Sequence, residues 1–467
     1  MSAIKYYDTT SGTWKYLSQG PKGDAGPTGT KGDTGATGAT GAGVPTGGST
    51  GQALVKNSGT DYDTTWTTIA TGTSSKSKFD AFLVNTKGPV DYYPAANTAL
   101  ISSTSSSAIS GATRYTYNSG KFYFRGLNSS VITNSSGTNY YRNNADFPSS
   151  NSVNPFWVEF DYYGSNFDVR YNSRGSSNAQ LWVWVDGVPA TAATVKPTST
   201  NDVDSYYNVT LPSTAQRRIR VMLAKADFGG IGTASVTDTI FPVEQKLLKV
   251  ALFDGSWFAG GAGGATNVSD YLSVQLGEML NVDYYVTSVS GTGYVRGTNT
   301  DPILGVVTDA SAGGPNWCDP TRLSVLTAIS PDLVVFIGST NDDGFTASDK
   351  KLGEHVTYVY NYILNNVPNA KIVTFTRQSN TETSASMALN ASTVYTAASA
   401  SSNVIGVVNI YSEGWITGTS NSSNPNNTGN GQIYIYSDVH PNAAGNRYYA
   451  SRLFNRISDI VKTYTRS

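Results

Sequence analysis

The chain has 467 residues, more than one ordinary domain uses, so two or three domains are expected. Only 14% of residues are charged, against roughly 25% in an average soluble protein, and Gly, Ser, Thr, Asn and 30 tyrosines take their place. This argues against a fold built mainly from long surface helices, and the formal net charge of −1 gives no electrostatic footprint for nucleic acid or an anionic membrane. The single cysteine, Cys318, excludes an intrachain disulfide framework and reads as a small buried apolar residue. The segment from Met1 to Asp8 has no apolar signal core, and no apolar run approaches the roughly 18 residues that span a bilayer. A chain made in the cytoplasm without a signal peptide, and inserted in no membrane, is expected.

In chain order, residues 1–19 precede an unbroken three-residue period. Gly20, Gly23, Gly26, Gly29, Gly32, Gly35, Gly38 and Gly41 recur in register, with Pro21 and Pro27 in X positions. Only glycine fits where three polyproline-II chains meet, so residues 20–43 are expected to form a collagen-like triple-helical stalk and the chain a homotrimer. The stalk is short and poor in proline, so its neighbours are expected to help hold the trimer. Residues 44–71 read as a β neck. Residues 72–243 read as strands throughout: Trp157–Tyr163, Phe167–Tyr171, Gln180–Val185 and Arg217–Leu223 alternate with period two between Gly, Asn and Ser clusters. A β-sandwich follows, jelly-roll-like, whose aromatics are expected to fill its core rather than to stack on sugar rings.

After Val243 the pattern changes. Leu247–Phe253 is an apolar run broken only by Lys249, as in a strand buried on both faces. A helix at 268–280, strands at 284–289 and 333–337, a helix at 348–366, strands at 371–375 and 404–409 and a helix at about 442–463 follow. This alternation predicts an α/β/α layer with a parallel sheet over residues 244–467.

Functional groups in such sheets gather at the carboxyl ends of the strands. Asp254-Gly255-Ser256 follows the first strand, Ser288-Val289-Ser290-Gly291 the second and Thr340-Asn341-Asp342 the third; Asp438-Val439-His440-Pro441-Asn442 precedes the last helix. Together they offer a hydroxyl, a glycine backbone, a side-chain amide and an imidazole, the groups that acyl transfer needs. His440 is one of two histidines; the other, His355, lies in a predicted helix and reads as structural. Two isolated histidines and one cysteine cannot build a typical N/S metal site, and no calcium motif is present, so no metal or cofactor is expected.

The order and context of these segments resemble the SGNH (GDSL-type) hydrolases over about residues 246–467. The resemblance implies Ser256 as nucleophile and His440 as base. It implies an oxyanion hole from the backbone N–H groups of Ser256 and Gly291 and the Asn341 amide. Gly291 is favoured over Gly293 by its Ser-x-Ser-Gly context. Asp438 would orient the imidazole. Three departures stand out. Asp254-Gly255 reverses the usual Gly-Asp order, Ser339 replaces a glycine two residues before Asn341, and Asp438 lies two rather than three residues before His440. The last leaves a triad and a Ser–His dyad both open.

The N-terminal segment, stalk and Gly51-Gln-Ala-Leu-Val neck resemble bacteriophage tail fibres and receptor-binding tail proteins. Residues 72–243 are similar, more loosely, to jelly-roll modules ahead of SGNH domains in carbohydrate esterases. Such resemblances imply a virion tail protein, joined to tail or baseplate proteins through its N-terminus, that removes ester groups, O-acetyl above all, from a host surface glycan. A non-catalytic adhesin on a degenerate hydrolase scaffold is the alternative.

Overall fold

The computed structural model describes residues 5–16, 52–56, 64–68, 75–89, 101–105, 107–143, 154–173, 179–191, 194–195, 203–244, 248–258, 267–338, 340–377, 385–417, 429–430, 434 and 440–466. The chain forms two compact units, Met1–Thr71 and Gly72–Ser467. In the first, Lys5–Asp8 pairs with Thr13–Tyr16 and Gln52–Lys56 with Thr64–Thr68, both antiparallel. The second hairpin lies where the β neck is expected; the Gly-X-Y segment lies outside the described residues. Asp8 closes the first turn by accepting from the Thr10 N–H at 3.0 Å and the Ser11 hydroxyl at 2.8 Å.

In the second unit, two long strands, Phe156–Asn172 and Asp204–Ala224, pair antiparallel over most of their length. Their ladder breaks between Gly164 and Asn166, where a Cβ on Gly164 would meet the Tyr162 hydroxyl at 2.1 Å. Phe160 and Phe167, on either side of the break, face each other at 6.2 Å. The eleven-stranded sheet therefore closes over one core, shared by Phe156, Val158 and Phe160 of one arm and Phe167, Val169 and Tyr171 of the other.

The sequence places the aromatics in this core, and the structure corrects that for three tryptophans. Trp157, Trp182 and Trp184 pack with Leu248, Tyr271, Leu272 and Tyr284 in a second core, shared with the α/β layer. All six residues of Gln180–Val185 are buried, because this part of the sheet is covered on both faces and alternate positions serve different cores. A second correction concerns the strands expected throughout 72–243. Ser75–Asn85 is a helix, with Phe79 and Phe82 one turn apart and buried in that shared core. Phe79 meets Tyr464 of the last helix edge-on at 5.7 Å.

The α/β layer holds five parallel strands in the spatial order Asp283–Val286, Lys249–Phe253, Leu333–Ile337, Lys371–Phe375, Val404–Val408. Strand order 2-1-3-4-5 is that of a doubly wound sheet. Helices Leu272–Leu280, Leu352–Asn366 and Ala443–Arg466 stand close to the expected bounds. Two more, Pro320–Ile329 and Ala385–Ser399, were not expected from the sequence pattern. The first starts on Asp319, whose carboxylate accepts from the N–H groups of Thr321 and Arg322, with Pro320 in its first turn.

Candidate active site

Between strands Lys249–Phe253 and Leu333–Ile337 the winding of the sheet reverses, and sites in doubly wound sheets gather at the carboxyl ends of the strands at such a point. Asp254-Gly255-Ser256 leaves the first strand and Thr340-Asn341-Asp342 follows the second.

Asp254, buried at the strand end, builds the first loop. One carboxylate oxygen accepts from the backbone N–H groups of Ser256 at 3.2 Å, Phe258 at 3.0 Å and Trp257 between them; the other accepts from the Ser288 hydroxyl. Burial pushes the Asp254 carboxyl up, and these four donors pull it back toward the ionised form. Its role is to curl the chain so that Ser256 meets His440. Arg322, also buried, ties the loop from below: it donates to the Asp254 carbonyl at 2.7 Å, the Pro315 carbonyl at 3.1 Å and the Thr292 hydroxyl.

The Ser256 hydroxyl lies 3.0 Å from His440 Nε2, across 184 residues of chain. With the imidazole neutral and its proton on Nδ1, Nε2 accepts from the hydroxyl. His440 is placed by the start of the last helix. The Asn442 carboxamide oxygen accepts from the Gly445 N–H at 2.8 Å, and the Asn442 N–H donates to the Tyr434 carbonyl at 2.9 Å. A Cβ on Gly445 would come within 1.9 Å of that same carbonyl, so only glycine lets the helix start this close to the loop. Asp438 and Ser339 lie outside the described residues.

Asn341 reaches back to the first loop. Its amide nitrogen donates to the Thr292 carbonyl at 2.9 Å and lies 2.6 Å from where a Cβ on Gly255 would stand; the Thr292 carbonyl lies 2.3 Å from that point. The reversed Asp254-Gly255 order thus has a physical reason. The residue next to Ser256 must lack a side chain to admit the amide, and the carboxylate sits one place earlier.

Gly291 has φ 74°, a left-handed conformation that favours glycine, and lies beside Gly313. Gly293 is occupied otherwise: its N–H donates to the Arg296 carbonyl at 3.0 Å, and its Cα packs on the Asp342 carboxylate. The Gly293 N–H is thus already engaged within its own loop.

Sequence reasoning missed several of these parts. Asp342, fully buried, accepts from the N–H groups of Tyr294 at 2.7 Å, Val295 at 3.1 Å and Arg296 at 3.0 Å, and so fixes the second loop as Asp254 fixes the first. Its place after Asn341 was a visible signal; Arg322 gave none. His355 lies apart from Ser256's partners, buried and bonded to Asp301 at 2.9 Å and the Lys351 carbonyl at 2.8 Å.

The chain is thus a doubly wound α/β layer that carries a serine–histidine pair at its switch point. No family model and no curated protein matches the sequence. Among solved structures, a salicylyl-acyltransferase from a tetracycline biosynthetic pathway is similar at a TM-score of 0.54 and 14% identity, over 75% of this chain and 97% of that one. A family two carbohydrate esterase from Cellvibrio japonicus is similar at 0.52 and 15%, over 78% and 99%. Such shares exceed what the α/β layer alone supplies, so the sandwich belongs to the likeness. At these identities the likeness is one of fold alone.

Proposed function

We propose that the chain is a serine ester hydrolase that removes acyl groups, O-acetyl foremost, from a carbohydrate. The observation that carries this reading is the 3.0 Å contact between the Ser256 hydroxyl and His440 Nε2, beside the Asn341 amide. Ser256 Oγ attacks the ester carbonyl while His440 Nε2 takes its proton. The tetrahedral oxyanion is held by the N–H groups of Ser256 and Gly291 and by Asn341. The ester C–O bond then breaks, the leaving sugar hydroxyl takes the proton from His440, and water repeats the sequence on the acyl-enzyme to release the acid. Asp438 is the candidate to orient the imidazole.

A carbohydrate as the alcohol is supported by the likeness to the Cellvibrio japonicus carbohydrate esterase, which spans 78% of this chain and 99% of that one. The setting, a trimeric phage tail fibre acting on a host surface glycan, rests on the Gly-X-Y segment and the neck pattern.

Purified protein is expected to release acetate from p-nitrophenyl acetate and from O-acetylated polysaccharide, and Ser256→Ala to lower kcat by about 10⁴-fold or more. Equal rates for variant and wild type would remove Ser256 from the reaction and favour the adhesin reading.

A further inference from the structure

Building on the esterase reading, we infer that Arg296, anchored by Asp309, is the positioning residue of the oxyanion hole, fixing and polarising the Asn341 amide. Asn341 is half-buried at the start of a short 3₁₀ stretch, Thr340–Phe345, where its side chain could turn over unless both ends are held. Both ends are held by groups of one sense. The Thr292 carbonyl can only accept, and takes the amide nitrogen at 2.9 Å. A guanidinium can only donate, and Arg296 Nη1 reaches the amide oxygen at 3.4 Å. One orientation of the carboxamide satisfies both, and it turns the nitrogen toward Gly255 and the nucleophile loop.

Arg296 is itself fixed. Its backbone N–H donates to Asp342, its carbonyl accepts from Gly293, and its Nε donates to Asp309 Oδ2 at 2.7 Å. Asp309 is held in turn by the Ser311 N–H at 2.8 Å and hydroxyl at 2.6 Å. Bonds from Ser311 and Arg296 bring its pKa down to about 2, so it is a carboxylate at neutral pH. A carboxamide whose oxygen accepts from a cation is a stronger donor at nitrogen. An ester carbonyl carries little charge in the ground state and nearly a full charge in the tetrahedral state. The effect of Arg296 therefore falls on kcat and leaves KM alone.

The test is a double-mutant cycle on p-nitrophenyl acetate hydrolysis. Asn341→Ala alone is expected to cost about 10²–10³ in kcat, as loss of one oxyanion donor does, and Arg296→Met roughly tenfold with KM within about twofold. In the Asn341→Ala background, Arg296→Met is expected to cost less than about twofold more, because the group it acts through is gone. Asp309→Asn, at a half-buried position, gives the same cycle if Arg296→Met does not fold. Unchanged kcat in the single variants, a loss carried by KM, or a full tenfold loss without Asn341 would each overturn the assignment. A wild-type protein without Ser256-dependent hydrolysis would overturn the esterase reading as well, whereas an active wild type with additive losses overturns only the role of Arg296.

Discussion

Gly255 shows how far one position can govern the chemistry next to it. A methyl group there would press on the Thr292 carbonyl and on the Asn341 amide together. Gly255→Ala is expected to lower kcat by about 10², by moving an oxyanion donor, and to cost about 1–3 kcal/mol of stability through overpacking. Esterase rates and urea titration on the same preparation check this; an unaltered kcat would mean that Asn341 takes no part. At this scale the sequence was readable for Ser256, His440 and Asn341, because Ser256 and Asn341 follow predicted strands and His440 precedes the last predicted helix. Asp254, Asp342 and Arg322 were less so. Asp342 and Arg322 act on backbone groups of distant loops and Asp254 on three N–H groups of its own loop, and neither leaves a periodic mark in the chain.

At the scale of elements, the helix Leu352–Asn366 is pinned to the loop after the second parallel strand by His355 and Asp301. Burial disfavours the His355 imidazolium, but the hydrogen bonds it donates to Asp301 and to the Lys351 carbonyl, with the Asp301 charge, outweigh it, and its pKa is raised. Burial likewise disfavours the Asp301 carboxylate, but the His355 bond and the N–H groups of Leu304 and Ile303 leave its pKa lowered. A raised histidine contributes stability that is full below its ordinary pKa of about 6.5 and is lost as pH rises through the folded value. The stability difference between wild type and His355→Asn is therefore expected to shrink from about pH 6 to pH 9, read as urea midpoints. A difference that stays constant or grows would show that the imidazole is neutral in the fold.

The same scale explains which elements were legible. The parallel strands are apolar runs, and the last helix carries a clear apolar stripe. Ala385–Ser399 alternates small residues with no stripe, and Ser75–Asn85 hides Phe79 and Phe82 behind a Ser-Lys repeat inside a β-rich segment.

At the scale of the whole molecule, the sandwich and the α/β layer form one unit because their seam is both apolar and charged. Arg125 pairs with Glu159 at 2.8 Å and Glu278 at 3.0 Å, and Arg220 with the same two carboxylates at 3.2 and 2.7 Å. All four are buried; Arg220 lies 4.2 Å over Trp157, whose ring N–H donates to the Tyr284 hydroxyl at 2.7 Å. Removing one member of such a set leaves a buried charge without its partner, so the seam resists separation. The Gly126 N–H adds a bond to Asp283 at 2.9 Å, at a position where a Cβ would strike the Tyr284 carbonyl. The sandwich thus lends its outer face to the α/β layer as a second wall. The Gly-X-Y segment sets the expected assembly: sedimentation of the full chain should give a trimer, and interrupting the repeat at Gly29 with alanine should weaken it. A monomeric full chain would refute the stalk.

The sequence by itself determined the parallel strand–helix alternation, the β-rich middle segment, the three-residue glycine period and the order of serine, glycine, asparagine and histidine along the chain. These are patterns of period and order, and they are written locally. Tertiary structure decided the rest. It brought Ser256 to His440, gave the Asp254-Gly255 reversal its reason and sent the tryptophans to the seam. Each depends on contact between residues far apart in the chain, and a period shows that a side chain is buried without showing what it meets.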